Sequence, residues 1–87
     1  MLLNKTFNAL ADSSRQKILE LLKKGDLAAG SIGEYFKFTA PTLSHHLSVL
    51  KDAGLVSVRR EGQMQIYSLN LSVFEEVAEK IVKFFKK

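Results

Sequence analysis

The stretch from Thr39 to Gln63 constrains the fold more than any other part of the chain. It runs Thr39-Ala-Pro-Thr-Leu-Ser-His-His-Leu-Ser-Val-Leu-Lys-Asp-Ala-Gly-Leu-Val56 and continues to Arg59-Arg60-Glu61-Gly62-Gln63. Threonine at 39 is a residue type that caps a helix N-terminus. Pro41 then falls in the first turn, where a missing N–H costs nothing. Leu43, Leu47 and Leu50 recur at four and three, so one face of this helix is expected to be buried. Pro41, Ser44, His45, Ser48 and Asp52 lie on or near the opposite face, and Gly54 ends the helix. Val56-Ser-Val58 and Met64–Leu69 read as strands joined by the basic Arg-Arg-Glu-Gly-Gln, a hairpin with both arginines at its tip.

The flanking segments read as supports for this unit. Leu3, Phe7 and Leu10 have helical spacing and predict a short first helix. Asp12 is a good N-cap for a second, from Ser13 to about Lys24, with Ile18, Leu19, Leu21 and Leu22 as its apolar stripe and Gly25 closing it. A third helix is predicted over Ala29–Phe36, burying Ile32 and Phe36. Gly30 and Gly33 lower its propensity by about 1 kcal/mol each relative to alanine, so packing must hold it. Lys37-Phe38 then makes a tight turn. The last helix starts at Asn70 or Ser72; Ser72-Val-Phe-Glu75 fits a capping box, and Phe74, Val77, Ile81 and Phe84 form its stripe, widened by Phe85. The fold class is therefore mostly α with a β-hairpin wing, a winged helix-turn-helix in the order α-α-α-α-β-β-α, forming one domain over residues 1–87.

Composition narrows the function. The 87 residues include no cysteine, which removes disulfides, thiolate metal sites and thiol redox sensing. Near the N-terminus there is one lysine and no long apolar run, so no secretory signal is expected. No stretch approaches the roughly 20 apolar residues of a membrane span, so no membrane insertion is expected and the cytoplasm is the expected location. The net charge is +4, which suits an anionic partner, and its distribution matters more than its total. Arg15, Lys17, Lys51, Arg59 and Arg60 surround the fourth helix. The lysines of the last helix alternate with Glu75, Glu76 and Glu79 and read as a solvated face.

Two short helices joined by a tight turn, the second with a small polar outer face, match a helix-turn-helix, whose second helix enters the major groove of double-stranded DNA. Thr42, Ser44 and His45 are best placed to reach base edges. Hydroxyls are permissive readers, and a neutral imidazole can donate or accept. With no Arg, Asn or Gln on that face, moderate specificity or readout of DNA shape is expected. Arg59 and Arg60 are expected at phosphates or the minor groove, with Arg15 and Ser31 as further candidate backbone contacts, each of which could equally be a surface or helix-forming residue. Thr39, Ala40, Pro41 and Gln63 complete the expected DNA-facing set. The bland readings are an amphipathic surface helix and a solvated turn; the wing directly after the helix favours DNA.

His45-His46 is not a metal site, because adjacent helical side chains point about 100° apart and neither Cys nor a third His supports them. His46 lies nearer the leucine face and reads as a packing residue. Ser44 beside His45 lacks an orienting acid and an oxyanion loop, so catalysis is not expected. The first and last helices, residues 1–11 and 71–87, carry more apolar surface than so small a body can cover. A symmetric homodimer through Leu3, Phe7, Phe74, Val77, Ile81, Phe84 and Phe85 is expected. It presents two reading helices about 34 Å apart to a palindromic operator.

The chain resembles the ArsR family of winged-helix repressors. The likeness rests on Ala11-Asp-Ser-Ser-Arg-Gln-Lys-Ile-Leu-Glu-Leu-Leu22, on Ser44-His-His-Leu-Ser-Val-Leu-Lys-Asp-Ala-Gly-Leu-Val56, and on Arg60-Glu-Gly-Gln63 leading to Tyr67-Ser-Leu69. The family pattern often has Pro-Thr where this chain has Ser13-Ser14. The resemblance implies a homodimer pairing through first and last helices and repression by occupying promoter DNA. Many relatives release DNA when metal binds, through cysteines near the reading helix or Asp and His on the last helix. This chain has neither pattern. It looks more like short, metal-independent members, including autorepressors governed by a regulatory protein partner or by their own level, with no cofactor. The rival expectation is a winged-helix protein–protein interaction module or anti-regulator that does not bind DNA.

Overall fold

The computed structural model describes residues 2–85, with side chains from 4 to 84. Its elements are α1 (Leu2–Leu10), α2 (Ser13–Leu22), β1 (Leu27–Ala28), α3 (Ala29–Phe36), α4 (Ala40–Asp52), β2 (Val56–Glu61), β3 (Met64–Leu69) and α5 (Leu71–Phe85). This is a winged helix-turn-helix with one strand more than the sequence suggests. β1 is two residues long, too short to show an alternation, and exists because Leu27 and Ala28 pair with Tyr67 and Ile66. The sheet is antiparallel in the order β1-β3-β2.

Local chemistry sets the helix ends. Asp12 caps α2, its carboxylate accepting the Arg15 N–H at 3.0 Å. That hydrogen bond holds the Asp12 carboxyl below the usual carboxylate range. Thr39 caps α4 by accepting the Thr42 N–H. Between α3 and α4, Lys37 adopts the left-handed conformation, φ 57°, and makes the tight turn. An added Cβ on Gly33 would stand 2.8 Å from Leu43 Cδ2. A larger residue there would have to displace the end of the Leu43 side chain, the point at which α3 and α4 approach.

Ile18, Leu19 and Leu22 of α2, Ile32 of α3, Leu47 and Leu50 of α4, Leu55 just ahead of β2, and Val56 and Tyr67 from the sheet form one buried cluster with Ala9 and Ala53. Each fully buried aliphatic side chain contributes about 1.5–3 kcal/mol, so this cluster fixes how α4 sits on the body. Phe36 and Leu43 are only half-buried against it. Among the described residues, no helix is long and apolar enough to cross a membrane.

Two expectations about the hairpin and last helix are corrected. Arg59, Arg60 and Glu61 belong to β2, with Glu61 opposite Met64. Only Gly62 and Gln63 turn, with Gly62 at φ 62°, as tight two-residue hairpins favour. The register extends because β3 supplies a partner for every β2 residue. α5 begins at Leu71, and the Asn70 carbonyl accepts the Val73 and Phe74 N–H groups. Ser72 therefore lies inside the first turn, where its hydroxyl donates to Asn70 Oδ1 at 2.8 Å instead of starting a capping box.

Candidate nucleic-acid interface

The outer face of α4 is exposed, as its spacing predicts, and its first turns carry no charged side chain. Thr39, Ala40, Pro41, Thr42, Ser44, His45 and Ser48 are all exposed, while Leu47 and Leu50 point into the core. The Thr39 hydroxyl donates to Thr42 Oγ1 at 2.9 Å, which orients the Thr42 hydroxyl at the helix start. His46 is half-buried; its ring packs on Phe38 with centroids 5.4 Å apart, and Phe38 stacks on Phe36. His45 stays outward, while His46 packs inward as its place nearer the leucine face predicts.

An open groove of about 550 Å³ separates the start of α3 from the wing. Ser31, Arg60 and Gln63 line it together with Gly30 and Gln65, and Glu34 contributes an acidic group to the same wall. Three expected DNA-facing residues from distant parts of the chain thus meet in one place. No side chain caps α3, since its N-cap is Ala28, and unpartnered N–H groups at a helix start suit an anion.

Arg15 stands elsewhere than its sequence context suggests. Its Nε donates to the Ala9 carbonyl at 2.9 Å and its Nη2 to the Asn8 carbonyl at 3.1 Å, while Nη1 lies 3.4 Å from His46 Nδ1. The guanidinium thus satisfies the C-terminal carbonyls of α1 and ties α1 to α2 and α4. Gln16 donates to the Leu10 carbonyl in the same manner.

The wing arginines also diverge. Arg59 Nη1 donates to Asp26 Oδ2 and Nε to Glu61 Oε2, each at 2.7 Å. The Arg59 hydrogen bond is the main cause that lowers the Asp26 carboxyl, and the two carboxylates raise the already high Arg59 value. Arg60 points to the other face of β2, as strand alternation requires. Its Nε reaches the Gly62 carbonyl at 3.4 Å, and among the described residues it has no carboxylate partner. Asp26 was not legible as part of this site: a single aspartate after a glycine carries no signal until β1 brings it beside the wing.

Of the residues expected at a dimer contact, Phe7 and Ile81 are exposed at 45% and 44%, and Phe84 at 81%. Val77 is buried in the protomer and Phe74 packs partly on its core, so both serve the chain's own fold. The side chains of Leu3 and Phe85 lie outside the described residues. Beyond Val77, all described α5 side chains are exposed. Among the described residues no three metal-ligating side chains gather.

The family model for bacterial regulatory proteins of the arsR family matches residues 12–58, from the α2 cap through the first half of β2. The chain belongs to the arsR family. It is accordingly a regulatory protein and not an enzyme. A similar relative is the transcriptional repressor SdpR of Bacillus subtilis, 44% identical over 98% of this chain and 94% of that protein. The arsenical resistance operon repressor of Staphylococcus aureus is 42% identical over 83% of this chain and 69% of its own. Among solved structures, an ArsR-like transcriptional regulator from Rhodococcus has a TM-score of 0.87 at 25% identity, covering 95% of this chain and 78% of that one. A homodimeric winged helix-turn-helix DNA-binding domain from Mycobacterium bovis has a TM-score of 0.78 at 28% identity, covering 99% and 82%.

Proposed function

We propose that this arsR-family protein is a homodimeric transcriptional repressor that occupies a palindromic operator in double-stranded DNA. The observation that carries this reading is the outer face of α4. Its first turns are exposed, small, polar and free of acidic side chains, and the core beneath holds them rigidly. Thr42, Ser44 and His45 read base edges in the major groove, and Thr39, Ala40 and Pro41 lie against the adjoining sugar-phosphate backbone. Ser31, Arg60 and Gln63 form the flanking phosphate contact across their shared groove. A net charge of +4 favours approach to a polyanion.

Residues 1–11 and 71–87 form the dimer contact. The exposed Phe7, Ile81 and Val82, the last at 52%, support it, as does the homodimeric state of the Mycobacterium bovis domain. Repression needs no metal in this account. The chain has no cysteine, and the acidic residues of α5 are Glu75, Glu76 and Glu79, all exposed. Relief then falls to a regulatory protein partner or to the repressor's own level in the cytoplasm. Likeness to a named repressor supports repression over activation.

Footprinting on the DNA upstream of its own gene tests the reading. The expected result is two protected half-sites about one helical turn apart, related by a two-fold axis. Absence of protection at low salt would reject it and favour a protein–protein module, the reading to which the lack of Arg, Asn and Gln on α4 points.

A further inference from the structure

Arg59 bridges the wing and the segment that enters α3. It stands on β2, and its guanidinium reaches past β3, where Nη1 lies 3.3 Å from Ser68 Oγ, to Asp26 just ahead of β1. Asp26 and Arg59 are separated by 33 residues in sequence. The backbone ladder running parallel to this bridge is short: β1 meets β3 through Leu27–Tyr67 and Ala28–Ile66, whereas β2 and β3 pair along the whole of both strands. The base of the hairpin packs on the body through Val56 and Tyr67, and toward the segment entering α3 it is held further by two residue pairs and one side-chain bridge.

The cluster's charge bears on its role. One guanidinium sits between two carboxylates, Asp26 and Glu61, each at 2.7 Å. The group is net negative and occupies Arg59 Nε and Nη1, so it does not invite a phosphate. Arg60 projects from the opposite face of the same strand toward the groove at the start of α3. We infer that Arg59 is a positioning residue: with Asp26 it braces the wing against the segment entering α3 and so sets where Arg60 meets the DNA backbone. This rests on the DNA-binding reading above.

The two possible roles of Arg59 predict opposite signs for one substitution. If Arg59 bound phosphate, Asp26→Asn would release a competing anion and tighten binding. If Arg59 is a brace, Asp26→Asn loosens the wing and weakens binding. The experiment is fluorescence anisotropy of the full chain on labelled duplex from upstream of its own gene, across a salt series.

Asp26→Asn and Arg59→Ala are each expected to weaken binding about two- to fivefold, as befits a half-exposed ion pair. Neither should change the slope of log affinity against log salt. The exchanged pair Asp26→Arg with Arg59→Asp should recover most of the affinity. Arg60→Ala should instead flatten the slope by about 0.9 per protomer. Tighter binding by Asp26→Asn, or a flatter slope for Arg59→Ala, overturns the brace while leaving DNA binding intact. Failure of the unaltered protein to bind at any salt overturns the DNA reading itself, and the wing's role with it.

Discussion

Replacing Arg15 by alanine separates a structural arginine from a DNA-contacting one. The side chain supplies two hydrogen bonds to the last turn of α1, to the Ala9 and Asn8 carbonyls, and α1 has no basic residue of its own there. Both carbonyls belong to the last turn, where a helix runs out of regular partners; the Asn8 carbonyl also accepts the Ala11 N–H, and a cation beside them is favoured by the helix dipole. Charged hydrogen bonds contribute about 1.5–3 kcal/mol when well shielded. Arg15 is half-buried, so about 1 kcal/mol each, roughly 2 kcal/mol in total, is the reasonable scale. In a domain of this size that lowers the melting temperature by about 8–16 °C. Thermal unfolding followed by circular dichroism, at one fixed protein concentration because a dimer's stability depends on it, measures the loss. Arg15→Lys should recover less than half, since one ammonium does not span both carbonyls and approach His46. Lys17→Ala, one turn surface away, should leave the melt unchanged. In DNA titrations the salt slope of Arg15→Ala should match the unaltered protein. A melt shifted by less than about 2 °C together with a slope flatter by about 0.9 per protomer would refute the reasoning and make Arg15 a phosphate contact.

Other substitutions probe the fold and the dimer. Lys37→Gly removes a side chain from the left-handed conformation at φ 57° and should stabilise by about 0.5–1 kcal/mol, read from the urea midpoint. Ile81→Glu, on the exposed part of α5, should leave the secondary structure intact and halve the mass seen by light scattering; a mass unchanged at low concentration would place the dimer contact elsewhere. Acid should destabilise the protein through Asp12 and Asp26. Both carboxyls lie below the usual range, Asp12 chiefly through the Arg15 N–H and Asp26 chiefly through the Arg59 side chain. The unfolded chain therefore takes up protons first as pH falls, and these contributions, complete above about pH 5, are lost on descent toward about pH 3. Urea midpoints across that range check it, and the double variant Asp12→Asn with Asp26→Asn should show a shallower decline.

The helical framework was legible because its signals are local. Asp12, Thr39, Pro41 and Gly54 mark helix ends with side chains that act on adjacent backbone, and the Leu43, Leu47, Leu50 spacing identifies the buried face of α4. The outer face followed by subtraction. What escaped was long-range. β1 carries no pattern in two residues and owes its existence to a partner 40 positions away, Leu27 opposite Tyr67. Without it, Asp26 had no visible link to Arg59. The two wing arginines looked alike as neighbours in sequence, yet strand alternation gives them opposite faces, one toward carboxylates and one toward the α3 groove. Arg15 looked like a surface cation until α1 was placed with its carbonyls beneath it. Phe74 and Val77 shared a helical stripe with Ile81, but only the packed body shows that the first two serve the protomer's own core.

The measurement that tests the central claim most directly is the affinity of the full chain for DNA upstream of its own gene, set against a scrambled duplex, over a series of salt concentrations. The account predicts a clear preference for the upstream DNA and a linear fall of log affinity with log salt, with a slope near −0.9 for each phosphate neutralised. His45→Ala should lessen the preference and leave that slope unchanged. Equal affinity for both duplexes, or an affinity indifferent to salt, would contradict it.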